Sequence, residues 1–183
     1  FPDYDSPSSS LVKMYLNGDF GKNPEDVNAY AASAFYAVDR AASYLKNWKT
    51  DCNNSSVILC DRYCTSNIIY QMSKVNNDER DSFIEWQSDF EYNKLGLPVP
   101  DAVIYLDPDV SQKLMEKRYG GDKSKMDLHE QNVKFLRECR ESAVYATQKC
   151  GWIKIDCCEN GDIKSIEKIA AEIEKVVFDI LKS

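Results

Sequence analysis

The sequence predicts an α/β fold, a parallel sheet flanked by helices, organised as one domain over residues 1–183. Three observations predict it. Residues 57–60 and 102–106 are short continuous apolar runs, the pattern of strands covered on both faces. Around them lie long segments with apolar residues at three- and four-residue steps, the pattern of amphipathic helices. Strands and helices alternate along the chain, as parallel strands joined by helical crossovers require. With 183 residues, one core can bury most of the apolar surface.

Each element follows in order. After a Ser/Pro-rich start, "SLVKMYLNGDFG" predicts a short helix ending near Gly18. "NPEDVNAYAASAFYAVDRAASYLKNW" carries Pro24 and acidic residues at its head, as helix N-termini prefer. Val27, Ala31, Ala34, Val38, Ala41, Leu45 and Trp48 recur at helical spacing, which predicts one long helix with a single buried stripe. Tyr36 and Arg40 lie beside that stripe, four apart and on one face. The strand at 57–60 comes next, then a helix from about Thr65 to Val75 and another from near Asp78 that is over by Gly96. "LPVPDAVIYLDPDV" is a proline-punctuated turn, a strand at 102–106 and then Asp107. Helix "SQKLMEKRY" leads into "GGDKSKMD", a Gly- and Lys-rich loop. A helix over 128–149, the strand "WIKID" and a closing helix from Ile163 complete the chain. In that helix Ile163, Ile166, Ile169, Ile173, Val176, Ile180 and Leu181 keep helical spacing. A sheet this thin cannot cover so many apolar helical faces.

The net charge of −7 argues against a nucleic-acid or membrane-surface partner, whose footprint is basic. It leaves room for an anionic small substrate, because Lys117, Arg118, Lys123 and Lys125 locally oppose the overall sign. No window approaches the ~18 consecutive apolar residues of a membrane span. "FPDYDSPSSS" is neither basic nor apolar and does not read as a signal peptide. The seven cysteines form no C-x-x-C pair, and His129 is the lone histidine. That is poor material for a zinc site or a disulfide framework, and it fits a reduced, cytoplasmic protein.

The strand at 57–60 ends abruptly in Asp61, Arg62 and Tyr63. In parallel α/β sheets, ligands bind just beyond the carboxyl ends of strands, so this tripeptide stands where chemistry is usually done. An ordinary strand-end salt bridge is the alternative reading.

Several spaced motifs carry a resemblance: "FPDYDS", "FYAVDR", "DRYCTSN", "GLPVPDAVIYLD", and "D-L-H-E" after a basic loop. In their order and spacing the chain resembles the thymidylate kinase family of P-loop nucleoside monophosphate kinases over nearly its whole length. The resemblance implies transfer of the γ-phosphate of ATP to dTMP, with Mg²⁺ as cofactor. It implies that Arg62 contacts the acceptor phosphate and the transferring group, a task suited to an always-charged bidentate guanidinium. Asp61 would hold magnesium-bound water or orient that arginine. Tyr36 and Arg40 match the aromatic and the arginine that hold the thymine ring. Asn67 matches a residue that pairs with the base edge, beside Ser66, and Tyr70 one whose bulk disfavours a ribose 2′-hydroxyl. Tyr4 matches a tyrosine near the acceptor phosphate, and Phe1-Pro2 a cis bond. Asp3 stands where many relatives carry an arginine nearby.

Lys117, Arg118 and Lys123 match the ATP lid at about 117–127, and Asp127 and Glu130 the paired acids at its end. Read alone, each of these positions also has a structural explanation: Ser66 or Asn67 as a helix cap, Tyr70 as core, Arg40 at the surface, the lid as a solvated basic loop.

The phosphate-cradling G-x-x-x-x-G-K-[ST] does not occur in these residues. The expectation is that it lies upstream of Phe1, within the family's first β-α-β unit. A kinase-derived binding or structural protein, and a deoxynucleoside kinase, are the alternatives. The resemblance also implies a homodimer, with the helix at 25–48 as a participant.

Overall fold

A computed structural model describes residues 1–54, 57–108, 133–160 and 162–182. A 3-10 turn at Pro7–Ser9, capped by the Ser6 side chain, opens into α1 (Ser10–Leu16). The chain leaves α1 through Gly18, whose φ of 75° few side chains tolerate. Pro24 starts a separate 3-10 turn closed by an Asn23–Asp26 capping box, and α2 (Ala29–Ser43) begins only after it. The Asn28 side chain accepts the Ala31 amide at 2.8 Å and so fixes that start. The long helix expected over 25–48 is thus three pieces: α2, a π-helical turn at Tyr44–Trp48, and α3 (Lys49–Asn53).

The buried face of α2 corrects the sequence reading. None of Val27, Ala31, Ala34, Val38, Ala41, Leu45 or Trp48 is buried, and Val38 is 52% exposed. The buried residues are Ala29, Ala32, Ser33, Ala37, Asp39, Arg40 and Ser43. Small and polar residues occupy the inner face because it abuts polar partners and a cleft, so apolar periodicity selects the opposite side.

α4 (Cys64–Gln71) ends in a 3-10 turn at Met72–Lys74, and α5 (Arg80–Ser88) follows a capping box from Asn76 and Glu79. α5 continues as a π-helical turn at Asp89–Lys94 before Gly96 breaks it. α6 (Val133–Cys150) lies across α4. Ile68, Met72, Phe83, Ile84 and Ala146 form the central core where these helices meet, flanked by Trp86 and Trp152. Residues 109–132, which include the expected lid, lie outside the described residues.

β1 (Ile104–Asp107) pairs in parallel with β2 (Ile153–Asp156), Ile104 beside Ile153 and Asp107 beside Asp156. Asp107 is buried at the carboxyl end of β1, held by Arg140 at 2.7 Å and Lys154 at 3.2 Å. Burial works to raise its pKa, and those two cations outweigh it, so the carboxyl is held below its usual value. A two-residue pair follows, β3 (Cys158–Glu159) against β4 (Asp162–Ile163). Ile163 therefore belongs to β4, and the closing helix α7 starts later, at Ile166–Lys182.

Two further expectations change. Residues 57–60 are extended but belong to neither sheet, and Leu59 is 86% exposed. Among the described residues no strand pairs with the run, and only Cys60 packs on a core cluster, beside Tyr63, Cys64 and Leu97. α7 keeps its apolar stripe yet buries no residue, and Phe178 is 58% exposed.

Candidate functional site

A cleft opens where the N-terminal loop, α2, the 61–63 corner and α4 converge. Its walls include Tyr4, Tyr36, Arg40, Arg62, Tyr63, Ser66, Asn67 and Tyr70, all named from the sequence, with Leu16 and Gln71 added by the structure. Residues far apart in sequence meet here because α2 packs across α4 and the N-terminal loop is tied onto α2. That tie is Asp39, fully buried, whose carboxylate accepts the Asp3 amide at 2.9 Å and the Ser8 hydroxyl at 2.6 Å. The backbone nitrogen of Phe1 also donates to the Asp61 carbonyl at 2.8 Å, so the loop is fastened to the 61–63 corner too. The Phe1–Pro2 peptide bond is cis, as expected.

Arg62 has a φ of 61°, a region that residues other than glycine rarely occupy. Its guanidinium lies over the Tyr70 ring, 5.1 Å from the centroid, and donates to the Tyr70 hydroxyl at 3.2 Å. Solvent exclusion by the cleft pulls its pKa down, but Tyr70, Tyr36 and Tyr4 more than compensate, and the guanidinium stays charged. Among the described residues no ion pair joins Arg62 to Asp61, so the strand-end salt bridge does not form. Backbone strain of this kind, spent on aiming a cation into a cleft, is characteristic of functional positions.

Arg40 is not at the surface. It is 2% exposed, and its Nε stands 3.0 Å from Oε2 of Glu91, an ion pair without hydrogen-bond alignment. Its guanidinium lies against both the Phe1 and Tyr63 rings, 5.6 and 5.7 Å from their centroids. Asn67 is likewise buried: its amide nitrogen donates to Oε1 of Glu91 at 2.9 Å and to the Ser33 carbonyl at 3.2 Å. Tyr36 stands edge-on to Tyr15, and its carbonyl accepts from Arg40 at 3.4 Å. Gln71 is fully buried, lines the cleft, and has neither carboxamide atom bonded. Such orphaned polar atoms cost stability unless a ligand or water meets them.

Lys117, Arg118, Lys123, Lys125, Asp127, His129 and Glu130 all lie outside the described residues. Among the described residues no cluster of His, Cys, Asp or Glu could hold a metal, and no helix is long and apolar enough to cross a membrane. Sequence reasoning missed Asp39, Gln71 and Glu91. Their common signal was a polar residue on an otherwise buried helical face: Asp39 next to Arg40, Gln71 four past Asn67, and Glu91 four past Gln87.

A helix-rich α/β fold with a parallel strand pair carries a cleft whose cations stand beside aromatic rings, an arrangement suited to an anionic, ring-bearing small molecule. The structure aligns with the thymidylate kinase of Candida albicans at a TM-score of 0.64 and 18% identity, covering 98% of this chain and 77% of that one. The family model for thymidylate kinase matches residues 1–169, so this chain belongs to the thymidylate kinase family. Thymidylate kinase from Mycobacterium tuberculosis is 28% identical over 159 residues, covering 83% of this chain and 71% of the relative. The Caenorhabditis elegans enzyme is 25% identical over 173 residues, 92% of this chain and 66% of the relative. A probable thymidylate kinase of Staphylothermus marinus is 27% identical over 168 residues, 92% of this chain and 76% of the relative. The family's reaction is phosphorylation of dTMP.

Proposed function

We propose that the cleft is the dTMP site and that this chain's residues serve transfer of the γ-phosphate of ATP to dTMP. One observation carries the reading: Tyr4, Tyr36, Arg40, Arg62, Ser66, Asn67 and Tyr70, scattered along the chain, line a single cleft, with Asp61 next to Arg62 in sequence but not in the lining. Tyr36 would stack on the thymine, Arg40 would donate to a base carbonyl, and Asn67 would meet the base edge beside Ser66. Tyr70 would lie against the sugar, while Arg62 and Tyr4 would meet the phosphate. Phosphoryl transfer asks mainly for positioning and charge stabilisation, which an aimed and permanently charged Arg62 supplies. Asp61 would serve Mg²⁺, which takes one or two carboxylates together with substrate phosphates; among the described residues no Lys or Arg is ion-paired with its exposed carboxylate. When bound, the metal supplies charge neutralisation on those phosphates. Lys117, Arg118 and Lys123 would close over ATP, with Asp127 and Glu130 at the lid's end.

One domain spanning 1–183, a cytoplasmic setting and a homodimer complete the reading. The outward Val38 on α2 and Leu45 on the π-helical turn after it favour the dimer. Calorimetric titration of dTMP, dUMP, dCMP and AMP, with turnover assays in ATP and Mg²⁺, tests it. dTMP should bind and react best, with dUMP poorer by about 1–3 kcal/mol for the missing methyl. Preference for a purine monophosphate would overturn the assignment.

A further inference from the structure

Glu91 is a fully buried carboxylate that touches Arg40 and Asn67, the two cleft residues assigned to the base. It sits in the π-helical turn that extends α5, on the face continued from Phe83, Ile84 and Gln87. Gln87 donates to the same Oε1 from one helical turn before. A carboxylate only accepts hydrogen bonds, and so does the Ser33 carbonyl. The group of Asn67 that meets both must therefore be its NH₂. This orientation follows from chemistry and not from the assignment of N and O atoms. The carbonyl oxygen of Asn67 is left as its remaining group for the cleft. Glu91 likewise draws on Arg40 through Nε and leaves the terminal guanidinium nitrogens to serve other partners.

We propose that Glu91 is a positioning residue that sets the base choice of the cleft, by fixing Asn67 as an acceptor and Arg40 as a donor. The inference rests on the reading of the cleft as a dTMP site. An acceptor at Asn67 matches the N3–H of thymine or uracil, and a donor at Arg40 matches the O4 carbonyl. Cytosine offers a lone pair at N3 and an amino group at C4, and it mismatches both. Glutamine at position 91 carries one donor and one acceptor, so it removes the strict acceptor and leaves only the longer Ser33 carbonyl contact to hold the Asn67 NH₂ away from the base.

The test is calorimetric titration of dTMP and dCMP into the full chain and into Glu91→Gln, with a melting curve for each. The parent should prefer dTMP. In the variant the ratio of dTMP to dCMP affinity should fall about tenfold or more, as when one hydrogen-bonded partner is lost. A cooperatively melting variant with an unchanged ratio would overturn the role of Glu91 alone. A parent that binds neither nucleotide would overturn the reading of the cleft, and this role with it. A second arm needs no variant. dTMP methylated at N3 offers no donor, and it should bind the parent about tenfold or more weakly than dTMP. Equal binding would overturn the acceptor assignment even if Glu91→Gln fails to fold.

Discussion

The helices around the cleft bury polar side chains beside their apolar core, whereas the 57–60 run and the closing helix leave apolar side chains in solvent. Around the cleft the interior holds Asp39, Arg40, Asn67, Gln71, Gln87 and Glu91, polar groups taken wholly out of water. In the run and the closing helix Val57, Leu59, Ile166, Phe178 and Leu181 face solvent. Hydrophobicity alone would have sorted them the other way. Burial here follows the supply of partners: a charge can be buried when a matched charge and donors meet it. An apolar run stays wet when nothing packs on it. The cost of the polar interior is acceptable because it orders a site, whereas the exposed apolar surface orders nothing among the described residues.

The largest expected effect tests that contrast with one residue type. Phe83 is fully buried in the central core, against the rings of Tyr30 and Trp86. Phe83→Ala should cost about 3–5 kcal/mol, the transfer and cavity cost of an aromatic core truncation. Phe178→Ala on α7 should change stability by no more than about 0.5 kcal/mol. Urea unfolding of both variants checks this. A comparable loss at Phe178 would mean that α7 is buried in solution, and the two regions would then not differ as described.

Arg62 stands on the border between the two regions and probes function without fold. Arg62→Ala should lower turnover about a hundred- to a thousandfold, equivalent to about 2.7–4 kcal/mol of lost transition-state stabilisation, with little change in melting. Affinity for dTMP should fall toward that for thymidine, which has no phosphate to lose. Arg62→Gly should be equally inactive and no less stable, since glycine accepts a φ of 61° without strain. An Arg62→Gly variant that melts early would show that the side chain holds the fold and not the phosphate.

The same contrast explains what the sequence made legible. Most helices and the strands near 102–106 and 152–156 were readable, because period is a local signal. That these two strands pair was not, and the meeting of Tyr36, Arg40, Asn67 and Tyr70 was implied only by the family resemblance. The buried face of α2 was not, since its apolar stripe faces outward and its inner face is alanine, serine and charge. The run at 57–60 was read as a buried strand because composition cannot say whether a neighbouring strand is present. Glu91 was invisible for a third reason. A glutamate on a helix is ordinarily solvated, and only the tertiary meeting of α2, α4 and the π-helical turn makes it the centre of a network.

Lys74 offers the smallest and most specific measure of the polar interior. Its ammonium donates to the Tyr15 hydroxyl at 2.8 Å and to the Val27 carbonyl at 3.0 Å, against the Tyr15 ring. Burial lowers its pKa to about 8, with Glu25 and Cys139 opposing the shift. The unfolded chain keeps its lysine protonated up to about pH 10.4. Between about pH 8 and that value the unfolded state binds more protons than the folded one, so stability must rise with pH in this window. Below about pH 8 both states are protonated and the full cost of the buried charge remains. Lys74 is only half-buried, so solvent screening discounts the effect to on the order of 1–2 kcal/mol. The measurement is the difference in unfolding free energy between the parent and Lys74→Met, followed from pH 7 to 10 to cancel other titrations. The difference should shift in favour of the parent as pH rises. A flat difference would mean that Lys74 is solvated, and that the burial of polar groups stops at the walls of the cleft.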